Sequence, residues 1–410
     1  MNSKIVFLFD YNPFIVSSAA SQRYSTIIKE IAKCGIQVYL LILGSNDRGL
    51  DFQEIENLTI KYYSKFKTDS LMKQRIWIYG LQYLTLGLMH KKVKIDLEKI
   101  NGDFIWYSNS FTTLKFINNF KIVNYKHILE VTEFHNLNTE IVTDRSFIRR
   151  FFLKTEVNNF NIALCKFDII LFITNNLKDL YSKDIPKNIK TFLFPMIVDY
   201  ERFNSMDPTA YFSLNRKVLK YMGSFSNEKD GINILIHAFS GLVKKYDNVF
   251  LELAGGNHAD MPGQIKIIQS LRLEDKIKFV GMLDKTEIPG FLSGGTILVL
   301  PRPNSKQAEG GFPTKLGEYL ASGIPVCCTS VGEIPLYMED KETIFFANPS
   351  SSSSLQETLE FILDNPVLAV KVGLKGRIVA EQKFGATKQV NKLMEVLGIT
   401  NKMNLKNDKK

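Results

Sequence analysis

Apolar residues in the first forty positions form two strand-like runs that flank a helical pattern. Lys4–Asp10 is rich in β-branched and aromatic residues, and Gln37–Leu43 is a second run of the same kind. Between them, Ser21–Cys34 carries apolar residues at helical spacing, and Gly35 follows where a helix would end. Strand, helix and strand at this distance form a βαβ unit and imply a parallel sheet.

The second half of the chain repeats this alternation more regularly, as is typical of doubly wound α/β proteins. The predicted strands are Lys217–Met222, Val249–Ala254, Ile277–Val280, Thr296–Leu300, Pro325–Thr329 and Thr343–Phe346. The predicted helices are Gly231–Tyr246, Gln264–Leu271, Glu287–Ser293, Lys315–Ser322, Ile334–Glu339 and Leu355–Asn365. A last helical stretch, Val367–Leu397, is interrupted near Gly385.

The first half continues the α/β pattern with looser spacing. Its further predicted strands are Phe104–Ser108, His127–Val131 and Ile169–Thr174, and its further helices are Leu71–Lys92 and Ser146–Phe167. Two such halves predict two doubly wound, Rossmann-like domains facing across a cleft, at 1–198 and 199–380. A C-terminal helix and frayed tail at 381–410 are expected to pack back on the first domain. Ligands of such sheets bind at the carboxyl ends of the strands, so the cleft is the expected site.

Composition adds a preference for anionic partners. The 410 residues are 45% hydrophobic and 23% charged, as in globular proteins, and carry a net charge of +10. Such an excess favours phosphorylated molecules or an acidic membrane surface. The lysines are spread along the chain, and no basic run is interleaved with aromatic residues in a nucleic-acid-binding motif, so nucleic acid is not an expected partner.

Cysteine usage and the apolar runs predict a cytoplasmic protein. The four cysteines are Cys34, Cys165, Cys327 and Cys328. They are too scattered for a disulfide framework and lack metal-ligand spacing, which indicates a reducing compartment. The run Ile5–Phe9 is too short for a signal peptide, and the longest uncharged stretch, Ile76–Met89, falls below the ~20 residues of a spanning helix.

Candidate chemistry is concentrated in Glu309–Glu318, which reads Glu-Gly-Gly-Phe-Pro-Thr-Lys-Leu-Gly-Glu after a predicted strand. Gly310 and Gly311 let the backbone approach a ligand closely, and Pro313 suits the first turn of the following helix. The N-terminus of that helix offers N–H groups to a phosphate or to sugar hydroxyls.

The same helix carries a carboxylate suited to a diol. Thr314 and Glu318 lie four residues apart on one helical face, where a carboxylate can accept two hydrogen bonds from a ribose. Each of these features alone also occurs in ordinary loop-to-helix connections, so the ordered combination is what points to a donor site.

This segment resembles the donor-binding signature of glycosyltransferase family 4, whose enzymes have the GT-B fold, and in particular a bacterial subset with the same Gly-Gly-Phe-Pro-Thr-Lys-Leu-Gly-Glu reading. The resemblance spans most of the second half. It includes a glycine turn at 254–256, Phe279-Val-Gly281, Gly323-Ile-Pro-Val326 and Gly332-Glu-Ile-Pro335. It implies that 1–198 is the acceptor-side domain and that 199–380 binds a nucleotide sugar.

The resemblance also assigns residues. Glu318 corresponds to the second glutamate of the family's paired-glutamate motif, expected at the donor ribose. The first glutamate belongs at position 310, which is glycine here, and Glu309 lies one place away. Main-chain N–H groups of Gly311 and Phe312 are expected to take over part of its role.

A second family element binds the phosphates through Gly-Arg followed five residues later by lysine. Here Gly223, Ser224 and Lys229 keep the glycine and the lysine, but serine replaces arginine and its bidentate phosphate contact is lost. The hypothesis is that Arg302 or Lys315 supplies the missing charge. Lys229 as a solvated turn residue and Arg302 as a surface cation are the alternatives.

The family's reaction is a retaining glycosyl transfer without a metal, and the chain contains no Asp-x-Asp pair that would hold a metal diphosphate. The resemblance implies no separate cofactor and no protein nucleophile, and the predicted catalytic residues are Lys229, Glu318 and Arg302. The predicted donor-binding residues are Gly223, Ser224, Lys229, Gly256, Glu309, Gly310, Gly311, Phe312, Pro313, Thr314, Lys315 and Glu318.

Acceptor contacts are expected from Ser18, Arg23, Glu130 and Glu133 in the first domain, with core packing or surface charge as the alternative. Two basic segments, Phe147–Lys154 and the group His90, Lys91, Lys92 and Lys94, suit an anionic membrane or are helices with solvated faces.

These observations predict a glycosyltransferase of hexosyltransferase type. It would move a sugar from a nucleotide diphosphate to a glycan or lipid-linked acceptor, in cell-surface polysaccharide synthesis, at the inner face of the plasma membrane. The alternatives are a same-fold sugar-nucleotide epimerase or phosphorylase, and a non-catalytic nucleotide-sugar or carbohydrate-binding protein.

Overall fold

The computed structural model describes residues 3–16, 18–44, 54–64, 82–133, 147–207, 215–255 and 261–399. The chain divides into two compact units, Met1–Phe194 with Val390–Lys410 (unit 1) and Pro195–Gln389 (unit 2). Each unit is built on one parallel sheet, which confirms the α/β class.

Unit 1 contains a sheet of seven described strands in the order β3-β2-β1-β4-β5-β6-β7. The strands are β1 Lys4–Phe9, β2 Gln37–Ile42, β3 Leu58–Tyr62, β4 Phe104–Tyr107, β5 Lys126–Val131, β6 Ile169–Phe172 and β7 Lys190–Leu193. The helices are α1 Ala19–Lys33, α2 Gln82–Ile100, α3 Phe111–Asn119, α4 Phe147–Leu164 and α5 Asn175–Tyr181. The central strands are apolar on both faces because helices cover both sides of a parallel sheet, and Phe7 of β1 stacks on Trp106 of β4 at 5.3 Å.

Unit 2 contains a sheet of six described strands in the order β10-β9-β8-β11-β12-β13. The strands are β8 Lys217–Gly223, β9 Val249–Gly255, β10 Ile277–Gly281, β11 Ile297–Leu300, β12 Val326–Thr329 and β13 Phe345–Ala347. The helices are a 3-10 helix Tyr200–Phe203, α6 Ile232–Lys245, α7 Met261–Ser270, α8 Ile288–Ser293, α9 Lys306–Gly310, α10 Thr314–Ser322, α11 Ile334–Tyr337, α12 Ser352–Asp364, α13 Pro366–Phe384 and α14 Ala386–Leu397. The last helix continues into unit 1.

Each sheet reverses its strand order once, and such reversals are where ligands bind in open α/β sheets. The reversal lies between β1 and β4 in unit 1 and between β8 and β11 in unit 2. In both cases the loops that follow the two strands leave from the same edge of the sheet. These two edges are the places where the fold favours a binding site.

Two features bear on the predicted location. Among the described residues, no helix is both long enough and apolar enough to span a bilayer. Cys327 and Cys328 are buried in β12, and all four cysteines are free thiols.

Helix α10 packs closely on the segment that opens unit 2, and Gly317 makes this possible. A Cβ at Gly317 would lie 2.2 Å from Val198 Cγ2 and 2.9 Å from Met196 Sδ. We expect Gly317→Ala to lower the free energy of unfolding by about 1–3 kcal/mol, the usual cost of overpacking a core. Chemical denaturation measures this change. The matched control is Gly263→Ala in α7, where an added Cβ meets nothing within 4 Å. An equal loss in both variants would contradict the packing argument.

Candidate active site

The candidate site of unit 2 lies at the strand-order reversal, where β8 and β11 end side by side. Residues 224–231 follow β8 and lead into α6, and residues 301–313 follow β11 and lead into α10. The residues predicted from the sequence to bind the donor fall almost entirely on these two loops and the helix α10. Gly256 lies outside the described residues.

The loop after β8 is compact and tightly constrained. Gly223 leaves no room for a side chain, because its Cβ would lie 1.7 Å from the Tyr221 hydroxyl. Phe225 is fully buried with a left-handed φ of 61°, a conformation that is unusual for a bulky residue. The N–H groups of Asp230 and Gly231 both donate to the Ser226 carbonyl at 2.9 Å. This geometry fixes the main chain of the loop before any ligand binds.

A buried carboxylate holds the two ends of this loop together. Asp230 is 2% exposed and accepts hydrogen bonds from the Ser224 N–H at 3.2 Å and from the Ser224 hydroxyl. Its other oxygen lies 3.6 Å from the Lys315 ammonium. Burial alone would raise the pKa of Asp230, but the charge of Lys315 and the Ser224 hydrogen bonds outweigh it and lower that pKa. Ser224 therefore serves the internal geometry of the loop.

Two cations, Lys315 and Arg302, act on this carboxylate, and a third, Lys229, acts on Lys315. The Lys315 ammonium is 25% exposed, and its pKa is lowered by burial and by the charges of Lys229 and Arg302, against the opposing effect of Asp230. Arg302 also acts on the pKa of Asp230. Three cationic side chains near the ends of β8 and β11 suit an anion such as a diphosphate.

Arg302 is a buried residue, contrary to the alternative that it is a surface cation. It is 3% exposed, and its Nη2 donates to the Ala308 carbonyl at 2.9 Å. Its own carbonyl accepts from the Thr329 hydroxyl at 2.7 Å. The guanidinium thus ties the end of β11 to α9, the short helix that carries Glu309.

Helix α9 was not predicted, and it places Glu309 at the surface. Ser305 caps it by accepting from the Ala308 N–H at 3.1 Å, while the Ser305 hydroxyl donates to the Glu228 carbonyl at 2.6 Å. The loop after β8 and the loop after β11 are joined by this bond. Glu309 is exposed, and Gly310 and Gly311 are half-buried.

The turn between α9 and α10 is anchored by an aromatic cluster. Phe312 is 6% exposed, and its ring lies 5.5 Å from that of Tyr337 and 5.4 Å from that of Phe384. The side chain of Phe312 therefore belongs to the core of unit 2, so that any contact of Phe312 with a ligand would come from its main chain. Pro313 was expected in the first turn of the helix, but it immediately precedes α10, so this expectation is wrong by one position. Helix α10 begins at Thr314, which is half-buried.

Glu318 is buried on α10 and is held by an arginine. Its Oε1 accepts from Arg202 Nη1 at 2.8 Å, and Arg202 Nη2 donates to the Lys285 carbonyl. Burial raises the pKa of Glu318, and Arg202 opposes this rise. Burial and the Arg202 charge together lower the pKa of Lys285 to about 8. The nearby cations favour the ionised form of the carboxylate, but burial outweighs them and the pKa of Glu318 stays above its usual value.

Sequence reasoning missed Asp230, Arg202 and Lys285. Asp230 directly precedes Gly231, whose left-handed φ of 69° marks the start of α6, but nothing in the spacing reveals its contact with Lys315, 85 positions later. Arg202 and Lys285 come from segments far from Glu318 in the chain. Only the folded arrangement of unit 2 brings these charges together.

The four predicted acceptor-side residues occupy different environments in unit 1. Arg23 and Glu130 form a buried ion pair, in which Arg23 Nε and Nη2 donate to Glu130 Oε1 at 2.8 and 2.6 Å. Arg23 Nη2 also donates to the Phe194 carbonyl at 2.8 Å. Ser18 caps α1 by accepting from the Ser21 N–H, and Glu133 is exposed. The ion pair links α1, β5 and the end of β7, which favours a structural role.

The chain is similar to known proteins in part of its sequence and in its fold. Residues 209–379 match the family described as glycosyl transferases group 1. The phosphatidyl-myo-inositol mannosyltransferase of Mycobacterium leprae is 22% identical over 174 residues, which are 42% of this chain and 44% of that protein. Sucrose-phosphate synthase from Thermosynechococcus elongatus has a TM-score of 0.75 at 16% identity, covering 96% of this chain and 98% of that one. HepE of Anabaena, solved in complex with UDP-glucose, has a TM-score of 0.70 at 15% identity, covering 96% and 99%.

The two parallel sheets and the family match define a protein of the GT-B fold. Residues 209–379 are thus similar to the glycosyl transferases group 1 family, which is also called glycosyltransferase family 4. The resemblance to this family is confirmed, and the bacterial subset stays a prediction. The chain spans less than half the length of the mycobacterial relative it matches.

Proposed function

We propose that this chain transfers a hexose from a nucleotide-diphosphate sugar to a glycan or lipid-linked acceptor, with retention of anomeric configuration, in cell-surface polysaccharide synthesis. The observation that carries the proposal is the group of three cations, Lys229, Arg302 and Lys315, on the two loops and the helix that carry Asp230 and Glu318. A diphosphate joined to a ribose presents the complementary charges and hydroxyls. The UDP-glucose complex of HepE, which has the same fold, supports this reading.

In the proposed reaction Lys229, Lys315 and the main-chain N–H groups near Gly311 bind the diphosphate, while Glu318 binds the ribose hydroxyls. The bond between the sugar C1 and the diphosphate oxygen breaks, and the diphosphate leaves with the electron pair. The acceptor hydroxyl oxygen bonds to C1 on the same face, and its proton passes to the departing phosphate. Preorganised positive charge stabilises the leaving group as its charge develops.

The test is product analysis. The protein is incubated with uridine, guanosine and adenosine diphosphate sugars, and release of the nucleoside diphosphate is measured with and without a glycan acceptor. We expect one nucleotide series to react, and NMR of the product to show the donor's anomeric configuration. An inverted product would overturn the proposed stereochemistry, and a donor merely isomerised at a sugar carbon would favour the epimerase alternative.

Arg302 offers a sharper test of the missing phosphate arginine. Because Arg302 adds charge beside Lys315 and holds Ala308, we expect Arg302→Ala to lower kcat/KM for the donor by about 10- to 100-fold, the effect of losing a charge-assisted hydrogen bond. Arg302→Lys keeps the charge without the forked donor, so its kcat/KM should lie between that of the native protein and that of Arg302→Ala. Steady-state kinetics with varied donor gives the answer. Unchanged donor KM and kcat in Arg302→Ala would discard this role.

We further propose that unit 1 supplies the acceptor contacts and docks at an anionic membrane surface on the cytoplasmic side. Lys91 and Lys92 are exposed on α2, and Arg150 and Lys154 are exposed on α4. His90 does not belong to this basic group, because it is fully buried against the Phe116 ring and burial lowers its pKa to about 4.

Liposome sedimentation tests the docking. We expect binding to vesicles that contain anionic lipid, weakened by salt and by replacing the four exposed cations with alanine. Equal binding to neutral and anionic vesicles would remove the proposal.

A further inference from the structure

Arg202 lies at the candidate site of unit 2, and the proposed reaction gives it no role. It belongs to the 3-10 helix Tyr200–Phe203, 116 positions before Glu318 in the chain. Its Nη1 donates to Glu318 Oε1 at 2.8 Å, and its Nη2 donates to the main-chain carbonyl of Lys285. One guanidinium therefore joins the 3-10 helix, helix α10 and the segment that follows β10.

Both ends of this bond are anchored in unit 2. Tyr200 and Phe203, at the two ends of the 3-10 helix, are buried. The segment that precedes this helix packs on α10 next to the carboxylate, because a Cβ at Gly317 would lie 2.2 Å from Val198 Cγ2. Gly317 is the residue before Glu318. An arginine whose main chain is fixed in this way can fix the orientation of the carboxylate that it binds.

The bond to Arg202 leaves acceptor capacity on Glu318. A carboxylate has about four acceptor sites, and Arg202 uses one of them on Oε1. A side chain that is already held by a charge-assisted hydrogen bond needs little further ordering when a ligand binds. Burial raises the pKa of Glu318, and of the cations that oppose this rise Arg202 has the largest effect, ahead of Lys315 and Lys285.

We propose that Arg202 is a positioning residue of the donor site, which orients Glu318 toward the ribose diol and so determines the preference for ribonucleotides over deoxyribonucleotides. This inference rests on the proposed function, in which Glu318 binds the ribose hydroxyls. Arg202 itself acts through Glu318. Its planar fork reaches the Glu318 carboxylate and the Lys285 carbonyl at fixed angles, and a lysine ammonium would supply the charge without that geometry.

The experiment compares nucleoside diphosphates with their dideoxy forms, which lack both ribose hydroxyls, by isothermal titration calorimetry in the uridine, guanosine and adenosine series. We expect the native protein to prefer the ribonucleotide of one series by about 100-fold or more, the effect of two hydrogen bonds to a charged group. Arg202→Ala should reduce this preference about tenfold or more, the effect of misplacing one of these bonds. Its affinity for the dideoxynucleotide should stay close to the native value, because the diphosphate contacts are kept.

Two further variants separate position from charge. Arg202→Lys should retain part of the preference, because it keeps the charge without the fork. Arg216→Ala is the matched control and should keep the native preference. Arg216 is an exposed arginine of unit 2 that lies over the Phe250 ring at 4.2 Å, as Arg202 lies over the Phe203 ring at 5.4 Å.

A double-mutant cycle shows whether Arg202 acts through the carboxylate. If it does, Arg202→Ala combined with Glu318→Ala should have the same preference as Glu318→Ala alone. A further loss in the double variant, or a native preference in Arg202→Ala, overturns the inference. Binding of the dideoxynucleotide shows that each variant is folded. If Arg202→Ala does not fold, Arg202→Gln replaces it, and a native preference in that variant counts equally against the positioning role.

Failure of this inference and failure of the proposed function give different results. A native protein that binds the ribonucleotide and the dideoxynucleotide equally would remove the ribose contact and with it the role of Arg202, while glycosyl transfer is still measured by product analysis. A native preference in the Arg202 variants would overturn the positioning role alone. A native protein that binds no nucleoside diphosphate would refute the proposed function and this inference together.

Discussion

Replacing Glu318 by alanine is expected to lower kcat/KM for the nucleotide-sugar donor by about 100- to 1,000-fold, or about 3–4 kcal/mol. Two charge-assisted hydrogen bonds from the ribose diol are lost, each worth about 1.5–3 kcal/mol. The loss also leaves Arg202 without its carboxylate partner, 2.8 Å away in the native protein. Initial rates at varied donor concentration measure the effect.

The controls separate the diol contact from general damage. Glu318→Gln keeps the shape and one acceptor oxygen, so its loss should be smaller than that of alanine. Glu357→Ala changes an exposed carboxylate on α12 and should leave the kinetics unaltered. If Glu318→Ala retained native kinetics, Glu318 would be a packing residue paired with Arg202 and the ribose assignment would fail.

Replacing Lys229 by alanine is the second large effect. Lys229 lies in the loop after β8, and its charge acts on Lys315 beside the buried Asp230. If the lysine stabilises the charge that develops on the departing diphosphate, its loss should cost about 100- to 1,000-fold in kcat, as for other preorganised groups of this kind. Single-turnover measurements with saturating donor isolate this step.

Lys266→Ala, at an exposed position on α7, is the matched control for the change in net charge. Lys229→Arg should recover part of the activity, because it restores the charge with a different shape. A Lys229→Ala variant with native kcat would place the lysine in solvent, as the solvated-turn alternative holds.

Local sequence patterns were sufficient for the buried strands and insufficient for the short or edge elements. Lys4–Asp10 was predicted within one residue of β1, because a fully buried strand is a continuous apolar run. The edge strand β3, Leu58–Tyr62, was missed, since its residues alternate between half-buried and exposed and include Lys61. Helix α9 was missed because its five residues are set by the Ser305 cap and by Arg302 and lack an apolar period.

The candidate site likewise contains residues that the sequence predicted and residues that it did not. The segment from Glu309 to Glu318 was recognisable because its residues are contiguous and their order carries the information. The resemblance predicted that Ser224 replaces a phosphate-binding arginine, but the sequence did not reveal what Ser224 contacts. The bond from Ser224 to Asp230 and the ion pair from Asp230 to Lys315 join residues that no sequence period relates. Long-range charge pairs of this kind are fixed only by the packing of the whole unit.

The most direct test of the account is the affinity of the reactive nucleoside diphosphate, measured by isothermal titration calorimetry on the native protein, Lys229→Ala and Glu318→Ala, with the free nucleoside as a second ligand. Both variants should bind the diphosphate at least about tenfold more weakly, a change of about 1.4 kcal/mol. Only Glu318→Ala should also weaken the free nucleoside, which has a ribose but no phosphate. Native affinity for the diphosphate in both variants would contradict a donor site at the ends of β8 and β11.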